Sequence, residues 1–519
     1  MLQAPGESEA PGLFDYRSHL AHTRIHRHLA TATPDDWRPV PSADPGPPLS
    51  DRFLPWAHAT LARGLPDDPA ARLVRGMLLG WRTALTEDVE EPFMRSGTLH
   101  VFAISGLHIA LLTTTLVQML RLLRLPRIAC GLLSLPFLWF YLAATGWQPS
   151  AVRAGVMGTV VVGSWALSRP ADLLNSLAAA ALLILVPEPG QLFLAGFQLS
   201  FGVVAGLALI APAIQDWLLA RIAFDPLLPE DLRPRWQRWL AVPLRAATLN
   251  LATTLAAWLA ALPLTLHHFH LLNPVSLIAN LVVVPLSGLA LVAGVLSLAL
   301  GALLPPAAEW TNQSAWFWMQ GMIAASEFCA RVPGGSWYSA APPWPWWVLY
   351  YGLLAALLAG WASIPRRRAW LAGAAGCASL AALAAFGWHT RSPRLTVLPE
   401  CAGVLSQEPG WFGSTFLADA GAPGAARHLA LPFARASGLD RLEDLLLSNA
   451  TQRFAGGAPA LLAALRPARL LIGDVRHRAA SLRRAVETAR SNRLPVIPVG
   501  KGFRSQGWEV MHPGPGDDS

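Results

Sequence analysis

Long apolar runs, more than any catalytic motif, limit what this chain can fold into. A helix that crosses the hydrocarbon core of a bilayer needs about 20 mostly apolar residues. Such runs lie near 101–120, 128–146, 151–168, 173–187, 192–214, 247–266, 275–304, 346–364 and 368–388. Only 14% of the 519 residues are charged, against about 25% in soluble globular proteins. The sequence therefore predicts a polytopic α-helical membrane protein with about nine to eleven membrane segments.

Three regions of different composition follow one another. Residues 1–70 are polar and Pro-rich, residues 71–390 carry the apolar runs, and residues 391–519 read as a soluble domain. In the last region, short β-like runs alternate with Ala- and Arg-rich helical stretches, which predicts a small α/β domain. Residues 1–12 contain Glu7, Glu9 and two prolines, a pattern unlike the basic start and apolar core of a signal peptide.

Clusters of arginine orient the predicted bundle. They lie at 121–127, 233–245 and 366–368, and the positive-inside rule places these three loops in the cytoplasm. Both termini then lie outside, provided that 275–304 returns to the side it entered from. The length of that run and Pro285 predict two short or broken helices. The stretch 313–330, which mixes aromatic residues with Glu327, is predicted to be an interfacial helix.

Polar groups inside the apolar runs are functional candidates because their burial in lipid is unfavourable. The densest group lies in HVFAISGLHIALL. His100 stands at its start, Ser105 and His108 share a helix face, and Gly106 permits close packing or a helix break. The alternative is a small-residue helix contact with a hydrogen-bonded histidine, and spacing alone does not separate the two.

Arg153 lies in QPSAVRAGVM, where Pro149 and Ser150 predict a helix start. A cation in the first turn is disfavoured by the helix dipole. Its presence is explained if an anion such as phosphate shares the site. The alternative is a side chain that reaches the phosphates of lipid headgroups.

Three further candidates are Gln198 in AGFQLSF, His270 in the cluster HHFH, and Asn280 between Pro274 and Pro285. Broken helices at membrane depth are tolerated where they line a cavity. Histidines at the end of a span are more often interfacial than catalytic, so His270 and its neighbours carry less weight.

Neither the cysteines nor the N-terminal histidines predict a metal site. The four cysteines are scattered without a CxxC pair, and the tract His19, His22, His26 and His28 has no cysteine nearby. We therefore expect no metal and no cofactor.

The apolar motifs, taken in order, resemble one known family. SGTLHVFAISGLHIALL is similar to the signature of the ComEC family of bacterial competence proteins. GMLLGWRTALTEDVEEPF precedes it, and the strings that follow are YLAATGWQPSAVRAGVM, SRPADLLNSLA, PEPGQLFLAGFQLSF, LPLTLHHFH and NPVSLIANLVVVPL. PGLFDYRSHL resembles the tail of the family's small N-terminal β domain, most of which is missing. The resemblance covers roughly residues 11–519.

The resemblance implies a multi-pass channel in the inner membrane that passes single-stranded DNA into the cytoplasm during natural transformation. It strengthens the expectation of a functional role for four residues that match motif positions, namely His108, Arg153, Gln198 and Asn280. It implies single-stranded DNA and membrane lipid as partners. It is also compatible with three further partners: a DNA receptor, a cytoplasmic translocation motor and a second copy of the chain.

The C-terminal region resembles half of a metallo-β-lactamase fold that has lost its metal ligands. The motif of that fold, S-H-x-H-x-D-H-x-G-G, follows an apolar strand, and here DLLLS is followed by NATQRFAGG. Ser448, Gly456 and Gly457 match. The ligand positions hold Asn449, Thr451, Arg453 and Phe454. None of these is a zinc donor, so we expect no nuclease activity.

Two alternatives stay open beside the channel. One is a metal-dependent phosphodiesterase in the C-terminal domain, and the other is a decayed or repurposed paralogue. The degenerate C-terminal motif favours the second, whereas the retained order of the intramembrane motifs opposes it. Residues 391–519 also carry a net +5 of the chain's +8 charge, which fits a surface for DNA.

Overall fold

The computed structural model describes residues 2–3, 17, 27–29, 49–80, 87–222 (except 103, 105, 148, 170 and 171), 234–361 (except 303), parts of 364–377, 393–398, 403–408, 414–473, 479–505 and 508–510. The chain divides into two compact units. The helical unit consists of Pro34–Thr265 and Leu272–Ser336. The C-terminal unit consists of Met1–Thr33, Leu266–Leu271 and Trp337–Ser519. The predicted spans beyond residue 361 lie largely outside the described residues.

The helical unit is built mainly from apolar helices. Three precede the first predicted span: α1 Leu49–Ala62, α2 Pro69–Leu79 and α3 Glu87–Arg95. The next six are α4 Gly106–Leu122, α5 Arg127–Ala144, α6 Pro149–Ala166, α7 Leu173–Leu185, α8 Ala195–Leu209 and α9 Ala211–Ile222. The last three are α10 Arg235–Phe269, α11 Ser276–Gly301 and α12 Pro305–Ala330.

Four stretches of described helix are long and apolar enough to cross a membrane. They are Arg127–Ala144, Ala195–Arg221, Trp239–Phe269 and Ser276–Gly301. Shorter apolar helices are His108–Leu122, Leu173–Leu185 and Trp344–Leu358. The predicted span at 173–187 is therefore a shorter helix of 13 residues. A helical membrane protein is supported, with fewer full-length spans among the described residues than the sequence predicts.

The first predicted span, 101–120, is interrupted, which corrects the expectation of one helix. A 3₁₀ helix covers Leu99–Phe102, and α4 begins only at Gly106. The preceding segment is held by buried hydroxyls. Ser96 Oγ lies 2.8 Å from Thr98 Oγ1, which lies 3.1 Å from Ser326 Oγ on α12. These contacts fix the 3₁₀ segment in place, so the α-helix starts after it.

The predicted break in 275–304 is wrong, because α11 runs continuously through Pro285. Proline lacks an N–H and so leaves the carbonyl four residues earlier without its helical donor. That carbonyl belongs to Leu281, and Nδ2 of Asn250 on α10 donates to it at 3.3 Å. A neighbouring helix therefore replaces the missing hydrogen bond, as is common for proline in buried helices. Asn280 accordingly lies in an unbroken helix.

The predicted interfacial helix at 313–330 is part of the longer helix α12, which packs along α11. Gly301 faces Ala308 and Gly321 faces Leu286, so the two helices run antiparallel. The inner face of α12 is fully buried at Asn312, Ala315, Met319, Met322 and Ser326. Asn312 Nδ2 donates to the carbonyls of Thr60 at 2.8 Å and Arg63 at 3.0 Å, which caps the end of α1.

The C-terminal unit contains a six-stranded sheet of order β10-β9-β8-β7-β6-β5. Its strands are β5 Arg394–Leu398, β6 Gly403–Gln407, β7 Thr415–Ala418, β8 Asp444–Leu447, β9 Arg469–Gly473 and β10 Val496–Val499. β5, β6 and β7 are antiparallel, and β7 to β10 are parallel. The α/β prediction is confirmed, and β6 is the strand of this sheet that sequence reasoning missed.

Helices and short strands complete the unit. α13 spans Trp344–Leu358, and the sheet is accompanied by α14 Pro423–Ala425, a π-helical turn Ala426–Ala430, α15 Leu431–Ala436, α16 Gln452–Ala455, α17 Ala458–Leu465 and α18 Ala480–Ser491. The short strands are β1 Leu2–Gln3, β2 His28–Leu29, β3 Leu271–Leu272, β4 Trp337–Tyr338, β11 Arg504–Ser505 and β12 Trp508–Glu509. Leu445, Leu461 and Leu470 form part of the core.

Gly206 provides a test of the helix packing. A Cβ added there would lie 2.3 Å from Cβ of Ala260, so α8 and α10 could not keep their separation. We expect Gly206→Ala to lower the free energy of unfolding by about 1–3 kcal/mol, as overpacked cores do. Gly163→Ala is the matched control, because nothing lies within 4 Å of its added Cβ. Thermal unfolding in detergent measures both, and equal melting temperatures would contradict the packing described.

Candidate functional site

The first turns of α4, α6 and α8 meet at one end of the helical unit. Ser150 Oγ donates to the carbonyl of Ile104 at 2.7 Å, just before α4 begins. Gly106 lies against Ala154, with 3.9 Å between an added Cβ and the Ala154 Cβ. Arg153 Nη2 donates to the carbonyl of Gly196 at 2.8 Å, in the first turn of α8. We call Gly106, His108, Ser150, Arg153 and Gly196 the first-turn cluster.

Short connections explain why these three helix starts coincide. Consecutive helices joined by a few residues lie antiparallel, so α4, α6 and α8 run in one direction and α5 and α7 in the other. The central helix, α6, packs against α4, α5, α7 and α8. The cluster therefore collects the amino ends of three separate helices, where backbone N–H groups and the helix dipoles place partial positive charge.

Arg153 is buried in this cluster, with 3% of its surface exposed. Its Nε is buried without a hydrogen-bond partner among the described residues. Burying a guanidinium is unfavourable unless it is paired. In a helix first turn the dipole adds to that penalty.

No carboxylate is available from the helices around Arg153. The sequence contains no Asp or Glu between Glu91 and Asp172, and none in α7 or α8. Asp172 caps the opposite end of the bundle, at the start of α7. Glu188, which precedes α8, accepts a hydrogen bond from Gln191 Nε2 at 2.8 Å. In the part of the chain that the structure describes, Arg153 forms no ion pair.

The two histidines of the same motif lie at this end. His108, in the first turn of α4, is 4% exposed. His100 is exposed, with Nδ1 3.1 Å from the carbonyl of Gly97. The structure thus brings together Gly106, His108 and Arg153, and His100 lies in the 3₁₀ segment that leads into α4. Ser105 lies outside the described residues.

The remaining candidates lie elsewhere or act locally. Gln198 lies two residues after Gly196 on α8, and its Nε2 donates to the carbonyl of Leu192 at 3.0 Å. Asn280 lies on α11, and its buried Oδ1 has no partner among the described residues. His270 belongs to the C-terminal unit, where its carbonyl accepts from Ser339 N at 2.8 Å. No described contact joins Asn280 or His270 to the first-turn cluster.

Sequence reasoning missed a polar junction between two of the quoted motifs. Asn273 Nδ2 donates to the carbonyl of Met94 at 3.1 Å. Gly97 has a φ of 73°, and an added Cβ would lie 2.6 Å from Cβ of Ser276. The junction positions the segment that leads into α4. The available signals were the strings SGTLH (96–100) and NPVS (273–276), which contain Gly97, Asn273 and Ser276.

The degenerate motif of the C-terminal unit retains an organised loop. Asp419 is buried at the end of β7 with a φ of 62°. Ser448 donates to its carboxylate through N at 2.8 Å and through Oγ at 2.8 and 2.7 Å. Asn449 Oδ1 accepts from Thr451 N at 3.0 Å, and the carbonyl of Phe454 accepts from Ala420 N at 2.8 Å.

These residues form a hydrogen-bonded turn around one carboxylate. Among the described residues, no group of three or more His, Cys, Asp or Glu side chains is placed to hold a metal. Arg453 lies on α16 with its guanidinium 6.0 Å from the ring of Phe454, so this position presents a cation where the resembling fold has a ligand.

Asp419 gives this unit a pH-dependent stability. Burial raises the pKa of its carboxyl above 3.8, while hydrogen bonds from Ser448 oppose that shift. The folded state then binds the proton more tightly than the unfolded state. The carboxyl therefore favours folding below the unfolded pKa, and this contribution is lost as the pH rises through the folded pKa.

Asp419→Asn is expected to unfold at the same or a higher temperature than the wild type at pH 7, with the advantage shrinking in acid. Asparagine keeps an acceptor for Ser448 and tolerates a positive φ. Asp419→Ala, which loses both, is the control and should unfold earlier. Proteolysis of the C-terminal unit during thermal unfolding at pH 4 to 8 measures this. An Asn variant less stable than wild type at pH 7 would contradict the account.

Comparison with known proteins places the cluster inside a recognised region. A family model described as "Competence protein" matches residues 77–364, more than half of the chain. ComE operon protein 3 of Bacillus subtilis (strain 168) is 28% identical over 306 residues, 58% of this chain and 35% of that protein. The uncharacterized protein YcaI of Escherichia coli (strain K12) is 25% identical over 298 residues, 56% of this chain and 36% of that protein.

The chain spans about a third of the length of the curated relatives it matches. No solved structure matches it. The matched region contains every residue of the first-turn cluster, together with α4 to α8.

Proposed function

The chain belongs to the competence protein family, and we propose that its helical unit is an inner-membrane channel that passes single-stranded DNA during natural transformation. The first-turn cluster is the observation that carries this proposal. It is a cationic end of a helical bundle whose surrounding helices contain no carboxylate. DNA presents one negative phosphate per nucleotide, and phosphate contacts supply most sequence-independent affinity.

Aromatic side chains lie at the same end. Trp147 stands just before α6, 54% exposed, and its ring centroid is 6.2 Å from that of Trp139 on α5. Proteins that bind single strands without sequence preference combine a positive groove with aromatic rings on which bases stack. A tryptophan at the same end of the bundle as a buried arginine fits that combination.

The positive-inside rule gives the proposed orientation. Arg121, Arg124 and Arg127 lie at the far end of α4, so this end faces the cytoplasm and the first-turn cluster faces outward. The antiparallel pair α11 and α12 returns the chain to the side from which α11 started. The run 275–304 does not itself return, because α11 is continuous, so the condition set by the sequence is not met in that form. We propose that α12 makes the return instead and that both termini lie outside.

We propose that the C-terminal unit binds DNA without cleaving it. Its sheet order and the Asp419–Ser448 turn are compatible with a hydrolase-like ancestor of the metallo-β-lactamase kind. The motif positions Asn449, Thr451 and Arg453 supply no zinc donor. The net +5 of residues 391–519 would then serve to bind the phosphates of the strand. A receptor, a translocation motor and self-association belong to the same proposal.

Transformation with a marked DNA fragment tests the channel. We expect a strain lacking the gene to bind DNA at its surface but not to internalise it, and Arg153→Ala or His108→Ala to reduce uptake by at least about tenfold, because each removes a polar group from the proposed path. Arg121→Ala, at the exposed far end of α4, is the matched control. The comparison of the variants requires that all of them reach the membrane in equal amounts. Normal transformation of the deletion strain would refute the proposal.

Metal analysis tests the absence of nuclease activity. We expect the purified full-length protein, incubated with Zn²⁺ or Mn²⁺ and desalted, to retain no stoichiometric metal and to leave labelled DNA uncut, because a two-metal site needs His, Cys or carboxylate donors. Stoichiometric metal together with cleavage would reverse this part of the proposal and favour the phosphodiesterase.

A further inference from the structure

We propose that the Arg153 guanidinium and the first turn of α8 form a binding site for a phosphate-type oxyanion, and that its ligand is a phosphodiester of the passing strand. The inference rests on the proposed function and adds a named residue, a ligand chemistry and a location. Phosphates of lipid headgroups share that chemistry, so the experiment below separates the two sources.

The Arg153 side chain has a hydrogen-bond donor without an acceptor among the described residues. A guanidinium carries five N–H donors. Here Nη2 donates to Gly196 O at 2.8 Å, while Nε is buried without a partner among the described residues. A buried cation left in this state is strongly unfavourable, so an acceptor that is absent from the helices themselves would relieve it.

The helices packed against α6 supply no counter-charge to Arg153. They contain no Asp or Glu, and Glu188, which precedes α8, accepts a hydrogen bond from Gln191. The three helix dipoles add further positive potential at the same place. An anion from outside these helices would supply the missing charge.

The geometry of the Arg153 guanidinium and the start of α8 suits an anion with several oxygen atoms. Arginine presents its donors as a planar fork that matches phosphate, and the N–H groups at a helix start favour the same ligand. Leu194, which precedes α8, supplies no side-chain cap to those groups. The arginine that donates through Nη2 to the first turn of α8 thus keeps Nε unpartnered among the described residues, and no side chain caps that helix start.

The space beside the Arg153 guanidinium is accessible from outside the bundle. Gly106 and Gly196 are both exposed, so the first turns of α4 and α8 are open beside the buried guanidinium. Gly196 lies against the guanidinium, because a Cβ added to it would be 3.4 Å from Nη2 of Arg153. The absence of a side chain at this position leaves space next to the guanidinium. A larger residue at 196 would crowd the guanidinium and the space next to it.

The competing interpretation is structural: Arg153 could serve only to clamp α6 to α8 through the Gly196 carbonyl. The two interpretations predict opposite changes in stability. If Arg153 is a clamp, an apolar replacement loosens the bundle. If Arg153 is an anion site, the replacement removes an uncompensated charge and stabilises the protein without its ligand.

The test uses full-length protein in nanodiscs of neutral lipid, with Arg153→Met and, as matched control, Arg121→Met. A fluorescent oligothymidylate is titrated at low salt by anisotropy, and the melting temperature is measured with and without the unlabelled oligonucleotide. We expect Arg153→Met to weaken binding at least about tenfold and to melt at the same or a higher temperature when empty. The oligonucleotide should raise the melting temperature of the wild type and of Arg121→Met, but not of Arg153→Met.

A second variant, Gly196→Val, keeps the arginine and fills the space beside it. It should weaken binding in the same way. Unchanged binding by both variants, or a lower melting temperature of empty Arg153→Met with wild-type affinity, would overturn the proposal in favour of the clamp.

Nanodiscs of anionic lipid separate the two phosphate sources. If anionic lipid raises the wild-type melting temperature through Arg153 while the oligonucleotide has no effect in neutral lipid, the phosphodiester assignment is overturned in favour of a headgroup. The proposed function fails separately, by normal transformation of the deletion strain. If the deletion strain transforms normally but the oligonucleotide still binds through Arg153, the oxyanion site is supported although the channel is not.

Discussion

The guanidinium of Arg153 lies inside the helical unit with a hydrogen bond to Gly196 and without a carboxylate on any helix packed against it. A charge in that state destabilises the empty bundle, so its retention calls for a compensating interaction. The first turns of α4, α6 and α8 converge on it, which increases the positive potential and leaves backbone donors nearby. The architecture of five alternating helices is what brings those three starts together.

In the proposed channel, this arrangement would let a mostly apolar protein contact a polyanion. A channel lined with many arginines would hold a DNA strand too firmly to release it. One buried arginine, helix N-termini and an exposed tryptophan offer contacts that are individually weak and repeat with each nucleotide. Trp147 and the exposed glycines at 106 and 196 place that surface at one end of the bundle, where a strand would first arrive.

The sequence was sufficient where local patterns decide the structure. The helical character of most apolar runs, the helix start at Pro149, five strands of the C-terminal sheet and the family resemblance were predicted correctly. The errors came from distant partners. Pro285 does not break α11 because Asn250 supplies the lost hydrogen bond from another helix, and the first span is interrupted where Thr98 meets Ser326, 228 residues away.

The candidate site shows the same limit. The residue types in SGLHIALL and QPSAVRAG indicated His108 and Arg153, and the dipole argument already suggested an anion. The convergence with Gly196, and the exclusion of Asn280 and His270 from described contacts with the cluster, depend on how helices pack. In the C-terminal unit the sequence matched Ser448 to a motif position, but it did not show that Ser448 hydrogen-bonds the carboxylate of Asp419.

The most direct measurement is a cross-link to a strand caught in transit. A photoreactive diazirine amino acid is placed at position 192, where the native Leu192 is 46% exposed in the turn that leads into α8, or at position 132, where the native Leu132 is 68% exposed on α5. Position 196 itself stays glycine, because a larger residue there would crowd Arg153. Cells are given DNA whose trailing end carries a bulky block, so that uptake stalls, and are then illuminated. The account predicts a DNA adduct at position 192 and none at position 132. Adducts at 132 but not at 192, in variants that still take up DNA, would contradict it.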